Sequence, residues 1–358
     1  MKNLFQCLFT SLSFLTFVSG ISSEPFQATI PVLDLKEFQE SSTRASFVEK
    51  LMKAAHEVGF FALINPEIEV EVLRAAYRAS QKFFSSSWEE KSEIYAPHLN
   101  GQRGFVPGET AQGHIIKDAK EFLHIGKKDN LWPSFMDLQT PFESLITSLE
   151  PASIEIQKAL AIALGEKEDF FTQMTENGAS LLRPIYYPAN PEEGSPWAGA
   201  HTDINLFTLL PMSTEEGLEI YHQGEWIGVK VPENALIINC GDKLQNLSNG
   251  YFKSSLHRVV AKPNRERYSI VYFIHPRDED SMGPTQNACT LTGGIKQFPE
   301  ATSLELLAVR LRELGLASPE MLEFERQSGI MQKIEELIEL KQAAEPVKKT
   351  YNLWKNLD

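Results

Sequence analysis

Between Gly217 and Pro276 the chain reads GLEIYHQGEWIGVKVPENALIINCGDKLQNLSNGYFKSSLHRVVAKPNRERYSIVYFIHP, a succession of short apolar segments cut by glycine, proline and asparagine. Segments of this length and punctuation are strands joined by turns, with Ser248-Asn249-Gly250 as one of the turns. Side chains alternate along a strand, so in RYSIVYFIH the residues Arg267, Ser269, Val271 and Phe273 share one face. Many short antiparallel strands of this kind pack as a sandwich or a jelly roll. Strands are therefore expected over residues 179–276, with helices mainly before and after them. RASFVEKLMKAAHEVGF sets Phe47, Leu51, Ala54 and Val58 on one helical stripe with Gly59 as its stop, and VEVLRAAYRASQKFF continues in that style. Ser87 and Glu90 fit a capping box. Residues 303–341 read as amphipathic helices whose charged faces are solvated.

Within the β-rich half, His201 and Asp203 stand two residues apart. On one strand both would reach the same side, and a second strand could bring His257 across to them. Two imidazoles and one carboxylate fill three positions of an octahedron and leave three open, which suits an open iron(II) site; structural zinc sites are closed. Cys7, Cys240 and Cys289 have no paired spacing, which speaks against a thiolate site. A His-x-Asp pair alone is more often a surface hydrogen-bonding pair than a ligand set. Arg267 and Ser269 form a candidate anion clamp, in which a guanidinium grips a carboxylate through two parallel hydrogen bonds and a hydroxyl adds a third. By themselves they would read as a cross-strand ion pair beside a strand serine.

The order of the elements decides between these readings. His201-Thr202-Asp203 is followed by Asn239, Gly241 and Asp242, then Ser248-Asn249-Gly250, Lys253-Ser254, His257-Arg258-Val259, and finally Arg267 and Ser269. In this order the chain resembles the non-haem iron(II), 2-oxoglutarate-dependent dioxygenases of the isopenicillin N synthase-like family. The resemblance is strongest over residues 180–277, and IPVLDLKEF, EVGFFALIN and DAKEFLHIG extend it through the N-terminal half. It implies an α+β chain built on a double-stranded β-helix (a cupin-like jelly roll) with flanking α-helices. It further implies iron(II) on His201, Asp203 and His257, and 2-oxoglutarate with its distal carboxylate on Arg267 and Ser269. Tyr187, within Ile185-Tyr186-Tyr187-Pro188, becomes a further candidate contact to the cosubstrate, and ascorbate a candidate reductant. Ile185 replaces the family's asparagine, so the hydrogen bond that asparagine would give is lost, and NPEI from Asn65 departs from the usual Asn-His-Gly-Ile. The implied reaction converts 2-oxoglutarate and dioxygen to succinate and carbon dioxide while oxidising a C–H bond of a small organic substrate, with hydroxylation as the default outcome. Two alternatives stay open: an iron oxidase of the same family that does not use 2-oxoglutarate, and a non-catalytic ligand-binding protein of the same fold, against which the intact triad argues.

On this reading the 358 residues divide into 1–23 as a signal segment or disordered extension, 28–150 as a largely helical N-terminal dioxygenase region, 178–280 as the jelly-roll domain and 300–345 as C-terminal helices. A net charge of −14 disfavours a surface that tracks nucleic-acid phosphates, so a small molecule is the expected partner. Lys2 and the LFQCLFTSLSFLTFVSG after it resemble a secretory signal that is short for a spanning helix, so no stable membrane span is expected. Export is thus set against the cytoplasmic location that the resemblance implies. His98, His114, His124, His222 and His275 lack a partner at metal spacing and read as surface or hydrogen-bonded core residues, although His275 shares the face of Arg267 and Ser269 and leaves a pocket role open. Trp226 and Cys240 read as core. GQRGFVPGETAQG from Gly101 reads either as a mobile substrate loop or as a surface connection, and NPEEGSP from Asn190 as a polar loop that could line an entrance.

Overall fold

The computed structural model describes residues 28–99, 101–109, 117–191 and 195–355; residues 1–23, His114 and part of both glycine-containing loops named above lie outside them. The first half runs β1 (Val32–Asp34), α1 (Leu35–Gln39), α2 (Arg44–Glu57), β2 (Phe60–Ile64), α3 (Val70–Phe84), α4 (Trp88–Ser92), β3 (Gly104–Val106), β4 (Glu121–Gly126), α5 (Gln139–Ala163) and α6 (Phe170–Thr175). The second half follows as β5 (Leu181–Tyr187), β6 (Ala198–His201), β7 (Phe207–Leu210), β8 (Leu218–His222), β9 (Glu225–Gly228), β10 (Leu236–Cys240), α7 (Asp242–Leu247), β11 (His257–Val259) and β12 (Arg267–Ile274). Five helices close the chain: α8 (Gln286–Leu291), α9 (Ser303–Glu313), α10 (Pro319–Ser328), α11 (Ile330–Glu339) and α12 (Glu345–Lys355). Among the described residues no helix is long and apolar enough to cross a membrane.

Two sheets face one another. The larger has the order β1-β2-β10-β7-β12-β5-β4-β3 and the smaller β6-β11-β8-β9. Phe60, Phe122, Tyr187, Ile220, Ile237, Val259 and Val271, drawn from both sheets, form one buried cluster between them. Tyr268, Ile270, Tyr272 and Ile274 of β12 belong instead to a second cluster, with Phe47 and Leu51 of α2, Phe83 of α3 and Phe142 and Ile156 of α5. The alternation expected of RYSIVYFIH is thus realised: one face of β12 looks into the jelly roll and the other carries the helices. A third cluster joins Val309 of α9 to Ile330, Ile334, Val347 and Tyr351 of α11 and α12.

Local signals act where the sequence placed them. Phe47, Leu51 and Ala54 are buried on α2, and the Ser87–Glu90 capping box is complete. Four readings are corrected. Strands β1 to β4 of the first half all belong to the larger sheet, so helices and strands are not divided between the halves. Ser248-Asn249-Gly250 ends helix α7 rather than joining two strands, with Asn249 and Gly250 at φ 53° and 81°. Cys240 is core, but Trp226 is half-buried on the smaller sheet, with the Arg258 guanidinium 4.0 Å from its ring centre. The charged residues of α9 are not left to solvent, as Glu305 is buried and Arg312 pairs with the buried Glu325 at 2.9 Å.

Gly59 shows how tightly α2 is docked. Its φ is +74°, and a Cβ there would lie 2.3 Å from the carbonyl oxygen of Lys253 on the approach to β11. Gly59→Ala should lower stability by about 1–3 kcal/mol, since it combines left-handed backbone strain with a backbone clash. Gly228→Ala, whose Cβ meets nothing within 4 Å, is the control. Urea denaturation of both variants checks this, and equal midpoints would contradict the docking argument.

Candidate active site

Strands β6 and β11 pair so that His201 and His257 are direct cross-strand partners, their ring centres 4.3 Å apart. The register slips between this pair and the next, Ala198 with Val259, an irregularity of the kind that re-aims side chains beside active sites. Asp203 is not on β6. The strand ends at His201 and Asp203 lies in the connection that follows, so the shared-face argument fails in its reason although its outcome holds. Asp203 Oδ1 is 3.8 Å from Nε2 of His201 and 3.8 Å from Nε2 of His257. Among the described residues this is the group of acidic, histidine and cysteine side chains arranged to hold a metal ion, its ligand atoms all within 4.8 Å of one another.

The larger sheet fixes Asp203. Its Oδ2 accepts hydrogen bonds from Thr208 Oγ1 at 2.6 Å and Asn239 Nδ2 at 2.9 Å, and those two residues are themselves cross-strand partners on β7 and β10. The Asp242 amide donates to the Asp203 carbonyl at 2.7 Å, and a Cβ at Gly241 would lie 2.2 Å from the Asn205 carbonyl oxygen. That approach is the physical reason for glycine between Asn239 and Asp242. The Asp242 carboxylate accepts from Thr202 Oγ1 at 3.1 Å and pairs with Arg310 of α9.

Each imidazole is oriented through Nδ1. His201 Nδ1 donates to the Gly199 carbonyl at 2.7 Å and His257 Nδ1 to the Ser255 carbonyl at 3.2 Å. A carbonyl only accepts, so the hydrogen sits on Nδ1 and Nε2 is turned toward Asp203. Burial, with His257 adding to it, pushes the His201 pKa below its ordinary value against the pull of Asp203. Burial alone would raise the Asp203 carboxyl, but the two imidazoles and the bonds from Asn239 and Thr208 outweigh it and hold it ionised. Two imidazole nitrogens and one carboxylate oxygen are the donor set of a non-haem iron(II) centre.

A cavity of about 470 Å³ opens on His201 and Asp203. One wall is a chain of ion pairs that motif spacing did not reveal. Asp118 Oδ1 accepts the Gly199 amide at 2.9 Å, steadying the peptide on which His201 leans. Asp118 and Glu109 share the buried Lys120, at 2.9 and 2.8 Å, and Glu109 also takes Arg183 Nη1 at 2.9 Å. Arg183 Nε donates to His124 Nε2 at 2.6 Å, and the guanidinium lies 4.4 and 5.1 Å from the ring centres of Phe122 and Phe273. Burial and Arg183 push the His124 pKa well down, consistent with a neutral ring that accepts at Nε2 and donates from Nδ1 to the Gly101 carbonyl. His124 is thus a hydrogen-bonded core residue, as read, but one that also lines the cavity, as does His275. His98 is exposed and His222 ends β8. The signal that could have found Arg183 is parity: it shares a strand face with Ile185 and Tyr187. Of the two loops, Gly101–Glu109 supplies β3 and part of the cavity wall, whereas Asn190 bonds Asn264 and does not line it.

Arg267, Ser269 and Tyr187 form a separate buried group that does not line this cavity. Arg267 and Tyr187 are cross-strand partners with the guanidinium carbon 5.0 Å from the tyrosine ring centre. Arg267 Nε donates to the Glu215 carbonyl and Nη2 to Ser213 Oγ, both at 3.0 Å. One edge of the guanidinium is therefore already engaged, a limit on the two-bond grip expected from sequence. Nη1 is buried and has no hydrogen-bond partner among the described residues. An unmet buried donor of a permanent cation fits a carboxylate, so the residues present suit 2-oxoglutarate.

Residues 178–276 match the 2OG-Fe(II) oxygenase superfamily and residues 30–141 the family described as non-haem dioxygenase in morphine synthesis N-terminal. A 2-oxoglutarate-Fe(II) type oxidoreductase of Aspergillus fumigatus is 30% identical over 314 residues, 79% of this chain and 92% of its own. Among solved structures, a 2OG-Fe(II) oxygenase family protein from Caulobacter crescentus is similar with a TM-score of 0.72 and 30% identity over 80% of this chain and 99% of that one. A full-length Neurospora crassa protein in complex with alpha-KG gives a TM-score of 0.71 and 26% identity, over 79% of this chain and 96% of that one. The chain belongs to the 2OG-Fe(II) oxygenase superfamily and is an iron(II)- and 2-oxoglutarate-dependent dioxygenase of the isopenicillin N synthase-like type.

Proposed function

We propose that this dioxygenase hydroxylates a C–H bond of a small organic substrate held in the 470 Å³ cavity, with one oxygen atom of dioxygen going to the product alcohol and the other to succinate. The observation that carries the reading is the convergence of His201 Nε2, Asp203 Oδ1 and His257 Nε2 where the cavity meets the jelly roll. Iron(II) held by these three atoms would supply the redox chemistry that couples decarboxylation of 2-oxoglutarate to the use of dioxygen. The remaining work falls to the chain. Thr208 and Asn239 occupy Asp203 Oδ2, so that Oδ1 is the oxygen that would hold the metal. Arg267 Nη1, Ser269 and Tyr187 take the distal carboxylate of the cosubstrate, with Ser213 and Glu215 holding the guanidinium in place. Phe122 and Phe273 flank the substrate space and exclude water from it.

Purified protein supplied with iron(II), ascorbate, air and 2-oxoglutarate should form succinate, without and then with a library of small metabolites. His201→Ala should abolish it and also lose bound iron. Arg267→Ala should keep the iron and raise the KM for 2-oxoglutarate roughly ten- to a hundredfold, the value of a lost charge-assisted hydrogen bond. Succinate formation undiminished in His201→Ala would sink the assignment of the triad. For the residues behind Asp203, Asn239→Ala and Thr208→Val should each weaken metal binding by about 10–100-fold, read by competition with a chelator. Wild-type affinity in both would mean that Asp203 needs no support.

A further inference from the structure

The cavity wall holds two buried lysines, Lys120 and Lys243, and they differ in one respect. Lys120 has two carboxylates within 3 Å, whereas Lys243 has no carboxylate partner among the described residues. Lys243 is the second residue of α7, and its exposure is 1%. Its Nζ donates to Ser303 Oγ at 2.7 Å and lies 3.4 Å from His275 Nδ1, both neutral partners. Burial and the lysine push the His275 pKa well down, so the ring is neutral; with Nδ1 accepting, its hydrogen is on Nε2. An ammonium with three hydrogens and two neutral partners, beside an imidazole N–H on the wall of the same cavity, is an incomplete anion site. Burial pushes Lys243 down to about 7, with Asp278 offsetting part of the effect, so near neutral pH the amine lies between its two forms and a bound carboxylate would hold it as the ammonium.

We propose that the substrate is a small hydrophobic carboxylic acid whose carboxylate docks on Lys243 Nζ and His275 Nε2, with its apolar body against Phe122, Phe273 and the α9 leucines Leu307 and Leu311. This rests on the reading of the cavity as the substrate site. The charge balance selects a monoanion. Arg183 and Arg310 on the same wall are already matched by Glu109 and by Asp242, and the half-buried Arg103 is held by the Gln102 and Lys128 carbonyls, so beside Lys243 a dianion such as a phosphate would find no second fully buried cation without a carboxylate. A neutral ligand would leave Lys243 as it is, desolvated and without a counter-ion.

The experiment uses the full chain, loaded anaerobically with iron(II) and saturating 2-oxoglutarate and titrated calorimetrically with matched acid and amide pairs: phenylacetate and phenylacetamide, indoleacetate and indoleacetamide, octanoate and octanamide. At least one acid should bind, about tenfold or more tighter than its amide. The preference should fall to near unity in Lys243→Met and survive in Lys243→Arg. Lys243→Gln serves if the methionine variant does not fold. A wild-type protein that binds no acid, or binds amides equally well, overturns the proposal, as does a preference that persists without the Lys243 charge. The visible charge-transfer band of the ferrous 2-oxoacid chelate separates the two levels of failure. If it is missing in the wild type, the reading of the metal and cosubstrate sites fails; if it is present without acid preference, only the substrate class fails.

Discussion

One largely buried carboxylate sets the terms for the rest of the molecule. Removing an ionised group from water costs several kcal/mol unless partners replace the solvent on every side. Asp203 meets this by dividing its oxygens: Oδ1 faces the imidazoles of the smaller sheet and Oδ2 is closed by Thr208 and Asn239 of the larger one. β6 stops at His201, and Asp203 projects from the connection beyond it, where its carboxylate reaches both sheets. The glycine at 241 and the amide of Asp242 then follow as the means by which that connection is pressed against the start of α7. The same demand explains the distance between the ligands in sequence: the carboxylate is useful to a metal only where β10 and β11 have both returned.

The cavity in front of this site follows a similar logic with a different result. Arg183, Glu109, Lys120 and Asp118 form a run of alternating charges in which each member has an opposite neighbour. Burial would raise the Glu109 carboxyl, but Arg183 and Lys120 more than offset it, so the pairing keeps Glu109 ionised. A network compensated in this way has little charge to offer a ligand and much rigidity. It reaches the metal site mechanically, through the Asp118 bond to the Gly199 amide and the Gly199 carbonyl that orients His201. Selectivity on this side of the cavity must come from shape and aromatic surface, because the guanidinium of Arg183 is spent on Glu109 and His124 and covered by Phe122 and Phe273.

What was legible in the sequence divides along the same line. Residues whose role depends on a short motif were identifiable: His201, Asp203 and His257 converge, and the face shared by Arg267, Ser269 and Val271 looks into the jelly roll. Helix signals that act within one turn, such as the Ser87–Glu90 cap and the stop at Gly59, also read correctly. The errors are of one kind. The N-terminal half was read as largely helical, because nothing local says that β2 pairs with β10 and β4 with β5, far along the chain. Trp226 was placed in the core on hydrophobicity alone, although Arg258 and Tyr221 give it a place on the face of the smaller sheet. Lys120 and Lys243 look alike in a sequence, and only the fold supplies one with two carboxylates and the other with none among the described residues.

The charged face of α9 is the clearest case of a periodic pattern with two meanings. An amphipathic helix near the end of a chain offers its polar side to water unless something buried needs charge, and here the ligand turn does. Arg310 donates to the Thr202 carbonyl at 3.0 Å and pairs with Asp242, so it grips the peptide between His201 and Asp203 from outside the jelly roll. Leu307 and Leu311 of the same helix form part of the cavity wall, while Val309 is packed into the cluster with α11 and α12. The wall of the proposed substrate cavity and the turn that leads from His201 to Asp203 are therefore both held by one helix. Positioning a substrate carbon relative to a metal requires constancy of about half an ångström. A helix that touches both the substrate space and the ligand turn provides that constancy more directly than two elements each packed on their own.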